Sequence, residues 1–302
     1  MSFDVIIPFL RPIEHLLESK TVSEIMVNPD SSVWIEEDGE IQLLPGIHFN
    51  EGALIAGLEV IANKSGKRLN ADSPILNLRL PDGSRLAAMI PPVVNPFPLL
   101  TIRKFTARDF VLNDLIDRKM LTVEQAGILT EAVCRGDNIL IAGGTGSGKT
   151  TLTGVLADAI PEQERILIIE DTAELHIRKP HVVSAESQTD THRNAVTFDD
   201  LLKAILRHRP DRIIVGEIRG PEARTLLDAM NTGHRGTLAT IHASSAEEAL
   251  RRFANLTMRN SPGLTLPIVE DEILRCLDLI VFVQRQDGKR SVQEIRNLHE
   301  AA

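Results

Sequence analysis

Eight consecutive residues, Gly143-Gly144-Thr145-Gly146-Ser147-Gly148-Lys149-Thr150, announce this chain's chemistry most plainly. They satisfy the pattern G-x-x-x-x-G-K-[ST] in full. Glycines reach backbone conformations closed to other residues, so such a turn can aim several N–H groups at one anion. A helix starting at its end adds the positive pole of its dipole. Lys149 is then placed to reach the outer phosphates of a nucleotide, and the Thr150 hydroxyl to ligate Mg²⁺. Gly143 through Thr151 are therefore the candidate nucleotide-binding residues. The flanks agree with this reading. Asn138-Ile139-Leu140-Ile141-Ala142 reads as a buried strand, and Thr151-Leu152-Thr153-Gly154-Val155-Leu156-Ala157 as a helix.

Splitting a phosphoanhydride requires carboxylates for the metal and for the attacking water. Two acidic clusters qualify. The first is Ile168-Ile169-Glu170-Asp171-Thr172-Ala173-Glu174, in which Glu170 and Asp171 are candidates to support Mg²⁺. The second is Arg212-Ile213-Ile214-Val215-Gly216-Glu217-Ile218-Arg219. There a branched apolar run ends at Gly-Glu and sets one carboxylate at the rim of a buried strand. That is a Walker B arrangement with Glu where many ATPases carry Asp. A third stretch, Thr232 to Ser245, holds His234 and His242 at the two ends of a short strand. The strand keeps them too far apart for a metal pair, so an imidazole sensing the terminal phosphate is the sharper reading.

These groups must be positioned by alternating strands and helices. Strands are expected at Ile139–Ala142, Arg165–Ile169, Arg212–Val215, Thr237–Ile241 and Leu279–Val283. Helices are expected at Leu121–Val133, Lys149–Ala159, Phe198–Arg207, Glu222–Asn231 and Ala246–Met258. The phosphate loop, Glu170/Asp171, Glu217 and His242 all follow strand ends, where ligands bind in such sheets. The expected fold class is thus α/β, a mostly parallel sheet with flanking helices over residues 120–302. Residues 1–105 read as a smaller α+β domain, with a helix at Pro12–Ser19 and short strands from Ile25 to Leu44 that turn at Asp38-Gly39. Asn50 caps a helix running to Asn63, and strands follow at Ile75–Arg79, Arg85–Ile90 and Leu99–Lys104. Residues 106–119 read as a linker and hinge.

Composition narrows the function classes. The net charge of -9 is shared, with 9 basic and 13 acidic residues in 1–105 and 24 basic and 29 acidic in 106–302. Neither part has the basic excess of a general nucleic-acid binder, and one Trp with no Tyr leaves little for base stacking. Direct nucleic-acid binding is not expected. Cys134 and Cys276 lie far apart, as reduced thiols in a cytosolic protein would. No apolar run of 18 residues predicts a membrane span, and the apolar start lacks a basic lead and cleavage site, so no signal peptide is expected. His176, His181, His192 and His208 have no zinc-like spacing, and no stable metal site is expected.

The order of phosphate loop, Glu-Asp-x-x-Glu box, Gly-Glu-x-Arg and Thr-Gly-His…Thr-x-His resembles the type II/type IV secretion-system ATPases. These are hexameric motors of secretion, conjugation and pilus assembly, with a RecA-like ATPase domain behind a smaller α+β domain. The resemblance covers the C-terminal half in detail and the N-terminal half more loosely. The eight-residue step from His234 to His242 is similar to the conjugation, type IV secretion and Tad-pilus branch, whereas pilus retraction motors tend to step by seven. The four-cysteine metal motif of many type II secretion members is absent.

The resemblance implies ATP and Mg²⁺ as ligands and a homo-hexamer. It also implies inner-membrane secretion or pilus platform proteins as partners and a place in the cytoplasm, peripheral to the inner face of the inner membrane. It assigns catalysis to Lys149, Glu174, Glu217, His234 and His242, and gives Arg219 a coupling role. It further implies N-terminal-domain arginines that reach the phosphates. Arg85 and Arg103 are the candidates, with Arg79 third. Other readings are a pilus retraction or assembly motor, a RecA-like nucleic-acid translocase and a non-hydrolysing nucleotide-gated assembly factor. A GTPase is disfavoured because no Asn-Lys-x-Asp motif is present.

Overall fold

Alternating side chains in the first hundred residues build an antiparallel sheet with helices on one face. The computed structural model describes residues 7–19, 21–37, 39–104, 110–187, 195–259, 261 and 263–299. The chain divides into two units, Met1–Arg108 and Asp109–Ala302. In the first, α1 (Ile7–Leu10), a 3-10 turn (Arg11–Ile13) and α2 (Glu14–Glu18) lead into β1 (Val22–Val27), β2 (Val33–Glu37) and β3 (Glu40–Leu44). Then come α3 (Glu51–Lys64), β4 (Ile75–Arg79), β5 (Arg85–Met89) and β6 (Leu99–Arg103). The strand order is β3-β2-β1-β6-β5-β4.

The Asn50 side chain caps α3 by accepting from Ala53 N at 2.9 Å, and Leu54, Leu58 and Ile61 on its inner face are buried. The paired Leu86 and Ile102 are buried as well. One register position away, Arg79, Arg85, Arg103 and Glu24 stand opposite one another in a single row across β4, β5, β6 and β1. Cross-strand partners share a face, so the three arginines lie together, away from the apolar core.

The second unit opens with α4 (Leu112–Asp117) and α5 (Val123–Arg135). The expected linker 106–119 therefore contains a helix, and Leu115 is buried in this unit's core together with Met120. Leu112, Leu115 and Ile116 sit at helical spacing, which the surrounding charges hide from a composition reading. Residues 106–109, Asp38 of the expected turn and His192 fall outside the described residues. There follow β7 (Ile139–Gly143), α6 (Lys149–Ala157), β8 (Ile166–Glu170), β9 (Val182–Glu186), α7 (Phe198–Ile205), β10 (Arg212–Ile218), α8 (Glu222–Asn231) and β11 (Leu238–Ile241). The unit ends with α9 (Ala246–Arg259), α10 (Leu266–Cys276), β12 (Leu279–Gln286) and β13 (Lys289–Asn297).

The seven strands run β13-β12-β7-β11-β10-β8-β9. All pairs are parallel except the β12–β13 hairpin. Central strands are apolar on both sides, as a sheet covered on both faces demands. Ile139 and Ile141 enter one core with α5 and α6, while Leu140 and Ala142 enter the other with α8, α9 and α10. This is the α/β class expected from the sequence. Its consequence is a carboxyl edge where β7, β8, β10 and β11 end side by side.

Candidate active site

The phosphate loop leaves β7 at a crowded point. A Cβ on Gly143 would stand 2.3 Å from Val283 O on β12 and 2.6 Å from Ser147 Oγ. Gly148 has φ +98, a left-handed conformation that side chains disfavour, and directly precedes α6. No side chain caps the first turn of α6. An uncapped helix start beneath a glycine turn fits a phosphate, because its first N–H groups need an acceptor. Lys149 is 8% exposed and donates from Nζ to the carbonyls of Gly143 and Gly144, both at 2.9 Å. Burial holds its pKa below the ordinary lysine value, and Glu217 works against that shift.

The carboxylates gather beside this loop. The Thr150 hydroxyl lies 3.4 Å from Glu174 Oε2. Glu217 is held on both sides. Its Oε2 accepts from Arg219 Nη2 at 2.5 Å, and its Oε1 stands 3.0 Å from His242 Nε2. Burial lowers the His242 pKa, and the Lys149 charge lowers it further. The Glu217 carboxylate works against both shifts. Arg219 also pairs with Asp171, so one guanidinium bridges the ends of β8 and β10.

Glu170, expected to support Mg²⁺, also organises backbone at the end of β8. Its Oε1 accepts from the backbone N–H groups of Glu174 (2.8 Å) and Leu175 (3.0 Å). Its Oε2 is buried with no protein partner among the described residues, and burial pushes the carboxyl up to about 7. Glu170 thus shapes the turn that presents Glu174.

Residues 10–293 match the family described as type II/IV secretion system protein. The chain belongs to this family. It is 38% identical over 284 residues to the conjugal transfer protein TrbB of Rhizobium radiobacter, covering 92% of this chain and 84% of that one. It is 33% identical to the type IV secretion system protein VirB11 of Bartonella quintana, over 96% of this chain and 92% of the relative. Among solved structures, the VirB11 ATPase of the Brucella suis type IV secretion system, determined with sulphate, aligns over 97% of both chains with a TM-score of 0.52 and 28% identity. These relatives place the chain in the conjugal-transfer and type IV secretion branch.

Within this secretion family chain, not every expected residue meets the loop. β7 and β11 run parallel, Leu238 opposite Ile139 and Ile241 opposite Ala142. His242 follows the carboxyl end of β11, whereas His234 precedes its amino end and lies at the far edge of the sheet. There His234 Nδ1 stands 3.3 Å from Ala229 O, and its carbonyl accepts from the Thr237 hydroxyl. Arg85 and Arg103 belong to the first unit and share its arginine row.

The sequence reading missed Arg285 and Arg290 on the β12–β13 hairpin. Arg290 Nε donates to Gly146 O at 2.9 Å, and Arg285 Nη1 comes within 3.7 Å of where a Gly146 Cβ would stand. The turn signal Asp287-Gly288, both residues with positive φ, was the available clue to this hairpin. No helix among the described residues is long and apolar enough to cross a membrane.

Proposed function

We propose that this chain is an ATP-hydrolysing motor subunit that powers conjugative transfer or type IV secretion. The observation that carries the reading is the convergence of Lys149, Thr150, Glu174, Glu217 and His242 at one edge of a parallel sheet. When bound, MgATP supplies a γ-phosphoryl group whose negative charge is partly neutralised by the metal. The loop N–H groups and Lys149 hold the phosphate chain. Thr150, with Glu174 beside it, would hold the metal, and Glu170 and Asp171 would support it through water. Glu217 takes the proton of the attacking water, while His242 and Arg219 aim its carboxylate. Arg85 and Arg103 are proposed to contact phosphate on the strength of the family resemblance. Their alanine variants are expected to keep ATP binding and lose turnover.

The proposal extends to a homo-hexamer at the inner face of the inner membrane, working on secretion platform proteins. The relatives' names support work in conjugal transfer and type IV secretion; the hexamer and its place rest on the family resemblance, and nucleotide-dependent mass in solution tests the oligomer. The deciding assay is Mg²⁺-dependent phosphate release by the purified chain and by Glu217→Gln. The variant is expected to bind ATP and to release phosphate about 10³-fold more slowly. A silent unsubstituted chain, or a variant at full rate, overturns the reading. Function in a secretion assay that survives Glu217→Gln would favour a non-hydrolysing assembly factor. DNA-stimulated, salt-sensitive activity would favour a translocase.

A further inference from the structure

The C-terminal hairpin does more than close the sheet. β12 and β13 pair Arg285 directly with Arg290, so both guanidiniums stand on one face beside Gly146. The hairpin is anchored next to the loop. Val292 N donates to Met120 O at 2.8 Å, and Gln125 Nε2 donates to Val292 O at 3.3 Å. A Cβ at Gly148 would lie 3.0 Å from Met120 Cε and 3.2 Å from Arg290 Cδ. Two side chains thus back the loop where it enters α6.

A trans peptide is planar, with its carbonyl and N–H pointing in opposite directions. Fixing the Gly146 carbonyl therefore fixes the following N–H, that of Ser147. With Gly146 O turned to Arg290, the Ser147 N–H is turned away from the hairpin, where it makes only a long 3.4 Å contact with Gly144 O. We propose that Arg290 is a positioning residue for the phosphate loop: its Nε–H holds the Gly146–Ser147 peptide plane so that the loop's N–H groups converge on the phosphate chain before a nucleotide arrives. This rests on the nucleotide-binding reading above and adds a residue from the far end of the chain to it.

The test has two readouts. In nucleotide-free protein, hydrogen exchange at residues 144–150 is compared between the unsubstituted chain, Arg290→Ala and Arg290→Lys. Affinities for fluorescent ADP and a non-hydrolysable ATP analogue are measured on the same proteins. Arg290→Ala is expected to speed loop exchange and weaken both nucleotides about tenfold, the weight of one charged hydrogen bond. Protection of the Val292 amide reports that the hairpin is still anchored to Met120.

Arg290→Lys keeps the charge and lacks the planar Nε–H, so it is expected to behave like the alanine variant. Should the alanine variant fray the hairpin, the lysine variant decides alone. Loop exchange and affinities at wild-type levels in an intact variant overturn the proposal. So does full rescue by lysine, which would leave only a charge effect. An unsubstituted chain that binds neither nucleotide overturns the ATPase reading instead, and the nucleotide-free exchange still judges Arg290.

Discussion

At the amino edge of the parallel sheet, Asn138 is 1% exposed, and its side chain accepts from Thr237 N (2.9 Å) and donates to Cys276 O (2.6 Å). Its own N–H goes to Asp278, which also pairs with Arg235. Nearby Arg212, buried at 5%, is paired with Glu164. At the carboxyl edge the same kinds of side chain pair differently. Arg219 is 58% exposed and shared between Glu217 and Asp171, and Lys149 is held by loop carbonyls. The backbone partners of Asn138 are part of the sheet and cannot be exchanged. Ion pairs at the carboxyl edge can re-form around a phosphate or a metal. The sheet therefore has a fixed end and an adaptable end, and the two histidines of the box fall one at each.

The contrast breaks most visibly at Glu217. Glu217→Gln is expected to cut phosphate release by about 10³-fold, the usual weight of a general base, and to leave the melting temperature close to wild type. A large fall in stability would mean that the adaptable edge is structural after all. Asn138→Ala should do the reverse. It strands two buried backbone groups and is expected to cost about 3 kcal/mol of stability, measured by denaturant unfolding. Nucleotide affinity should hold wherever the variant is folded.

The histidines sharpen the point. His242→Ala is expected to slow turnover roughly 30-fold by freeing one side of Glu217, and His234→Ala to slow it clearly less. Equal losses would bring His234 to a site by way of a neighbouring subunit.

The smallest effect concerns Glu170. Its folded pKa of about 7 lies above the ordinary carboxylate value, so the folded state binds more protons than the unfolded state between those limits. Its contribution is fully present at low pH and is lost as pH rises through 7. In Mg²⁺- and nucleotide-free buffer, Glu170→Gln should flatten that part of the stability profile. An unchanged slope removes the argument.

Much of this was legible in the residues. β7, β8 and β10 are buried on both faces, and their unbroken branched runs gave them away. The loop glycines and the Gly216-Glu217 step marked the carboxyl edge. What escaped was charged or peripheral. β13, with only Val292 buried, has no apolar pattern to read. β9 is a short edge strand with Val183 and Ser184 exposed. α10 was hidden by Pro267 at its first turn. The backbone contacts of Glu170 also escaped, because nothing in its neighbours shows that two N–H groups fold back onto its carboxylate.

The crowding at Gly143 has a consequence for how the phosphate-loop motif is understood. Its first glycine answers to Val283 O on the next strand, and Gly148 answers to the conformation that opens α6. One string of letters thus records two separate selections. In a deep mutational scan they should come apart, with substitutions at Gly143 depleted in an abundance screen and those at Gly148 depleted in a screen for nucleotide retention.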